Sequence, residues 1–211
     1  MKRFFIIWLS LLCVLCCQAQ QRHALIVAIA NYPKESGWNS IHSNNDLQIL
    51  LPQFDRLGFR INTLTDKQAT KKNIIQALQH LIKQLKAGDD VCLHFSCHGQ
   101  QMEDDNGDEA DELDEALIPY DAQSTYQKGI YEGENHLRDD ELEKFLISIR
   151  QKIGIDGSVL ITFDACHSGT ANRIEEYVED DDAPIRGTNV IFSSNPFYIA
   201  CLLYTSDAAD E

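Results

Sequence analysis

The stretch Ser158–Cys166, SVLITFDAC, passes through Val159, Leu160, Ile161 and Phe163 and ends in Asp164, Ala165 and Cys166. A short apolar run of this kind, rich in β-branched and aromatic residues, reads as a strand buried in a sheet. His167, Ser168 and Gly169 follow, so the cysteine stands where the strand gives way to a turn. A cysteine that only fills a core has no use for this setting. A nucleophile presented at a strand end does.

Two other stretches have the same shape: HALIVAIANY, His23–Tyr32, and DVCLHFSCHG, Asp90–Gly99. Between them Leu47, Leu50, Leu51, Phe54 and Leu57 recur at helical spacing, and Gly58 stops the helix. FRINTLT, Phe59–Thr65, alternates like a strand. Thr70 is placed to cap a helix whose buried stripe is Ile74, Leu78, Leu81, Ile82 and Leu85. Gln100–Glu115 reads as a long acidic loop and Ala116–Pro119 as a short strand. Asp139 or Asp140 caps a helix with Leu142, Phe145, Leu146 and Ile149 on one face, and TNVIFSS, Thr188–Ser194, is a last strand. The order β-α-β-α-β-loop-α-β-β predicts an α/β fold with a mainly parallel sheet. In such sheets ligands bind beyond the carboxyl ends of the strands. Two strands here end in reactive groups, one at Cys97-His98-Gly99 and one at Asp164-Ala165-Cys166.

The chain has 211 residues, 44% of them hydrophobic, and a net charge of −15. That length holds one domain with a core of its own. The acidic balance disfavours nucleic acid as a partner, because phosphate needs a basic face, and favours cations or basic peptides. Met1–Ala19 has a basic start, an apolar run from Phe4 to Leu15 and a small-x-small site ending at Ala19. It is expected to be a signal peptide, too short for a stable membrane span, which predicts a secreted or periplasmic protein. Lipid anchoring through Cys16 or Cys17 is a weaker reading, since Leu15 and Cys16 are poor residues before an acceptor cysteine. The last stretch, CLLYTSDAADE, Cys201–Glu211, looks like a translated sequencing adapter. The expected organisation is a leader over 1–19, a domain over 20–200 lacking its own C-terminal part, and a non-native tail over 201–211.

Of the seven cysteines, three lie in the leader and one in the tail. Cys92, Cys97 and Cys166 remain, with no disulfide framework among them, so a free reactive thiol is the expectation. A neutral thiol needs a base, and His98 is the candidate. Gly99 leaves the backbone open beside it, so an amide there can face a developing oxyanion. Cys92, His94, Cys97 and His98 do not have zinc spacing, and strand alternation splits them between two faces.

The segments HFSCHGQ, DDNGDEADELDEALIPYD and ITFDACHSG, in that order, resemble the metacaspase branch of the caspase-like cysteine peptidases. The likeness extends over Ala24–Ser194. It implies a caspase-hemoglobinase α/β sandwich in which Cys166 is the nucleophile and His98 the general base. Asp164, two before the cysteine, and Asp46, in SNNDLQIL, match the family's pocket acids. They imply cleavage after arginine or lysine, with arginine's fork favoured by two carboxylates. The likeness also implies a calcium site built from Asp114, Asp139 and Asp140, whose hard oxygen ligands suit that ion. The family's further acid after the nucleophile is missing, for Asn172 and Arg173 stand there. Many relatives cut themselves. Arg186, in PIRGTN, is the first choice for such a cut and Arg173 the second. The competing reading is a catalytically silent caspase-like module that keeps the pocket and binds without turnover.

Overall fold

The computed structural model describes residues 20–103, 113–165, 188–192 and 197–202. Residues 1–19, Cys166, Arg173 and Arg186 therefore lie outside the described residues. Among the described residues the chain forms two sheets and three α-helices. The central sheet contains β1 (Arg22–Ala28), β2 (Phe59–Thr65), β3 (Asp90–Ser96), β7 (Ser158–Asp164), β8 (Thr188–Phe192) and β9 (Phe197–Leu202). Its order is β2-β1-β3-β7-β9-β8, parallel throughout except for β8 at the edge. The fold class is the expected α/β with a mainly parallel sheet. β9 runs through Ala200 into Cys201 and Leu202.

The apolar strands are buried because both faces of this sheet face other side chains. On one face Leu25, Val27, Leu93, Phe95, Ile161 and Phe163 pack into a single core with two helices. The first of these, α2 (Lys71–Gln84), buries Ile74, Ala77, Leu78 and Leu81, while Ile82 is only partly covered. Thr70 caps it by accepting the Asn73 N–H at 3.2 Å, as its position predicts. The second, α3 (Asp139–Ile153), buries Leu142, Leu146, Ile149 and Ile153, with Phe145 at the margin. Its cap differs from expectation. Arg138 is the N-cap residue, and Asp139 and Asp140 lie in the first turn, because a strand feeds directly into the helix. The rings of Phe95 and Phe163 stack at 5.7 Å in the centre of this core.

The opposite face is more polar. Parallel register places Ile26, His94 and Thr162 in one row, and Ala28, Ser96 and Asp164 in the next. The helix α1 (Asn44–Arg56) lies on this side, with Phe54 against Phe59 at 5.0 Å. None of its residues is fully buried, so the Leu47–Leu57 stripe is only half covered.

The second sheet was not anticipated. The loop expected over Gln100–Glu115 has strands in both arms: β4 (Gly99–Glu103) pairs antiparallel with β5 (Leu113–Leu117), which pairs with β6 (Leu137–Arg138). Strand β5 also begins before the expected Ala116. Asp114 is 1% exposed and Glu115 3%, so neighbouring residues on both faces are buried and no polar-apolar alternation marks the strand. Only Cys97 and His98 separate β3 from β4.

Candidate active site

His98 stands between the two sheets and is held on all sides. Its backbone N–H donates to Tyr32 Oη at 3.1 Å, and that hydroxyl donates to the Ile118 carbonyl at 2.8 Å. The Ile118 N–H returns to the His98 carbonyl at 3.0 Å. Burial pushes the Tyr32 phenol well above its ordinary range, so it stays a neutral donor. The His98 imidazole stacks on Trp38, centroids 5.0 Å apart, with Tyr32 tilted against it at 5.1 Å. Its Nε2 lies 2.8 Å from the Asn39 carbonyl oxygen. A carbonyl only accepts, so Nε2 carries the proton and Nδ1 is left with the lone pair a general base needs.

The loop that delivers Tyr32, Trp38 and Asn39 is fixed from below. Asp66, at the end of β2, takes a left-handed φ of 41°. Its carboxylate accepts the N–H groups of Ala30 and Asn31 at 2.8 and 2.9 Å. An aspartate tolerates this conformation better than most residues because its side chain bonds the local backbone.

Strand β7 comes alongside at the same sheet edge. The Cys97 N–H donates to the Asp164 carbonyl at 3.2 Å, which places the chain leaving β7 beside the His98 loop. Ala165 is buried there. Among the described strands, Cys92 and Cys97 are buried, and burial pushes Cys92 up to about 12, which keeps it an unreactive thiol. Cys97 belongs to the core side of the sheet and His94 to the other, as strand alternation requires.

Asp46 and Asp164 are brought together by α1 and β7. Asp46 lies in the first turn of α1, and its Oδ2 is 3.2 Å from His94 Nε2. Ser96 Oγ donates to Asp164 Oδ2 at 3.5 Å. Burial alone raises both carboxyls. For Asp46 the hydrogen bonds from His94 and Ser96 outweigh burial and hold it below the usual carboxylate range. For Asp164 the charge of Asp46 and a hydrogen bond to it add to burial, so its pKa is raised. Of the two acids, Asp164 holds its proton the more tightly. Sequence reasoning missed His94, Ser96 and Thr162 as parts of this cluster. The available signal was that His94 and Ser96 share a face with Asp164 once the strands are in register.

The expected metal acids sit at the far end of the small sheet. Asp114 pairs with Arg138, whose Nη1 also donates to the Glu103 carbonyl at 2.9 Å. Asp139 is pushed up to about 7, first by burial, then by the charges of Asp114, Glu115 and Asp140. Glu115 Oε2 is buried with no hydrogen-bond partner. The oxygen-only donors and the orphaned carboxylate oxygen suit a hard cation. Even so, among the described residues no three such side chains converge as a metal cage. The Arg138 guanidinium supplies positive charge at Asp114 instead.

A separate cavity of about 620 Å³ is lined by Gln100, Met102, Tyr131, His136 and Arg138, and by none of His98, Asp46 and Asp164. Its His136 is pushed down to about 4, by burial first and then by Arg138.

Residues 22–175 match the family model described as the metacaspase, peptidase C14 domain. The chain belongs to that family. Metacaspase-1B of Aspergillus fumigatus is 35% identical over 127 residues, covering 56% of this chain and 28% of the relative. Metacaspase-2 of Arabidopsis thaliana is 30% identical over 184 residues, covering 79% of this chain and 41% of the relative. The chain thus spans less than half the length of these metacaspases. Among solved structures, protein GSU0716 from Geobacter sulfurreducens is similar, with a TM-score of 0.54 and 30% identity. The match covers 71% of this chain and 52% of that one. Among the described residues of this metacaspase-family chain, no helix is long and apolar enough to cross a membrane.

Proposed function

We propose that this chain is a cysteine endopeptidase that cuts after arginine or lysine, with Cys166 as nucleophile and His98 as general base. The observation that carries the specificity is the meeting of Asp46 and Asp164 on the polar face of the sheet, beside the loop of His98. Two carboxylates match the fork of a guanidinium and also accept an ammonium.

The chemistry follows from the base. His98 Nδ1 takes the Cys166 thiol proton, and the thiolate adds to the carbonyl carbon after the basic residue. The oxyanion is met by backbone N–H groups at Gly99 and at the nucleophile. The imidazolium then protonates the leaving amine as the C–N bond breaks, leaving a thioester. Water, deprotonated by the same nitrogen, adds to the thioester; the C–S bond then breaks, the acid product leaves, and the imidazolium returns its proton to the sulfur. The Asn39 carbonyl stabilises the imidazolium while it carries the extra proton, and Trp38 keeps its ring in plane.

Calcium stimulation is part of the proposal. Asp114, Asp139 and Asp140 would hold the ion, which would fasten α3 to the small sheet. Binding requires Asp114 to exchange Arg138 for the ion. Self-processing is proposed at Arg186 first and Arg173 second, and export through the 1–19 leader places the enzyme outside the cytoplasm.

The test uses the mature protein and its Cys166→Ala variant, with peptides ending in arginine, lysine or aspartate, in calcium or chelator. Cleavage after arginine and lysine that needs Cys166 and rises with calcium is expected. Cleavage after aspartate overturns the pocket. No turnover by a folded, calcium-loaded protein moves the reading to a silent binding module.

A further inference from the structure

His94 lies buried on the polar face of β3 with both ring nitrogens engaged. Nδ1 is 2.7 Å from Thr162 Oγ1, and Nε2 is 3.2 Å from Asp46 Oδ2. Register explains the arrangement. His94 is paired with Thr162 on β7, one row below the Ser96–Asp164 pair. Asp46 arrives from a different element, the first turn of α1. A side chain at the start of a helix that buries no residue of its own needs an anchor on the sheet. Among the described residues, His94 supplies it together with Ser96 and Asp164.

We propose that His94 is a positioning residue of the basic pocket: braced by Thr162, it holds the Asp46 carboxylate toward Asp164, so that two acids rather than one meet the substrate's cationic side chain. This rests on the pocket reading above. His94 acts through Asp46 and touches neither the scissile bond nor the nucleophile. Its loss therefore weakens recognition of the cation and leaves the chemical step largely intact.

The experiment compares the full chain with its His94→Leu, His94→Gln and Thr162→Val variants on two peptides, one ending in arginine and one in its uncharged isostere citrulline. In His94→Leu the KM for the arginyl peptide should rise about tenfold, the cost of losing one hydrogen bond to a charged group. Its kcat should stay within about twofold, and KM for the citrulline peptide should not move. His94→Gln, whose amide can still reach Asp46, should recover most of the loss. Thr162→Val should raise the arginyl KM about threefold. That variant decides the matter if His94→Leu does not fold, and an unchanged arginyl KM in Thr162→Val then overturns the proposal. A wild-type protein with no preference for arginine over citrulline overturns the pocket reading and this inference with it. A clear wild-type preference that survives His94→Leu unchanged overturns the inference alone, as does an equal loss on both peptides.

Discussion

At the scale of single residues, Tyr32 does more than its place in an apolar run announces. Its hydroxyl accepts from the His98 backbone and donates to Ile118. Tyr32→Phe leaves both of those buried groups short of a partner, which should lower stability by about 1–3 kcal/mol in urea unfolding. An unchanged midpoint would show that water takes the hydroxyl's place. The acid pair makes a pH prediction. Asp164 is raised by burial and by Asp46, so it is protonated at low pH and ionises only as pH climbs through that raised value. An arginyl ligand should therefore bind Cys166→Ala protein more tightly as pH rises across this range, and should expel a proton on binding. Calorimetry in buffers of different ionisation enthalpy reads both. Asp46→Asn removes the repelling charge and should shift the transition to lower pH; a transition that stays put means another group titrates. His98, Asp46 and Asp164 were legible as residues because each stands in a short, recognisable segment. Their supports were not. Tyr32, Asn39 and Thr162, which support His98 and His94, lie 59 to 68 residues away in the chain and are brought alongside by the parallel strands and the loop after β1.

Among the elements, the parallel strands β1, β2, β3 and β7 and the helices α2 and α3 were legible from the spacing of their apolar residues, whereas β9, which runs into Cys201 and Leu202, was not. The small sheet was not, because β5 buries acids where a pattern reader looks for apolar residues. Helix α2 shows how local chemistry fixes an end: Thr70→Ala removes the acceptor of the Asn73 N–H and should cost about 1 kcal/mol of unfolding free energy. The entry to β7 is tighter. A methyl group at Gly157 would sit 2.5 Å from the Asp89 carbonyl oxygen and 2.7 Å from Ile153 Cβ. Both neighbours are backbone or stem atoms with little freedom to retreat. Gly157→Ala should cost about 1–3 kcal/mol, as overpacking does, and thermal unfolding will show whether the strand end gives way instead.

For the whole molecule, the net charge of −15 sets up a negative field, and the proposed basic substrates would be steered by it. Turnover of arginyl substrates at low concentration should fall as salt is raised, while turnover of citrulline peptides should not; equal salt sensitivity would leave the field without a role. The acidic end of the small sheet offers a second test. Arg138→Met strips the charge facing Asp114, which is 1% exposed. In chelator this should cost about 3–5 kcal/mol, the penalty of breaking a buried ion pair from one side, and calcium should restore most of it. A variant equally stable with and without calcium argues against an ion at these acids. On the β3 side only Cys97 and His98 link the two sheets, and β4 starts at Gly99, the very next residue. A joint that short has no slack. If an ion at the far end turns the small sheet like a lever, the fulcrum is the backbone that carries His98, and the proposed switch and the proposed base are one mechanical part.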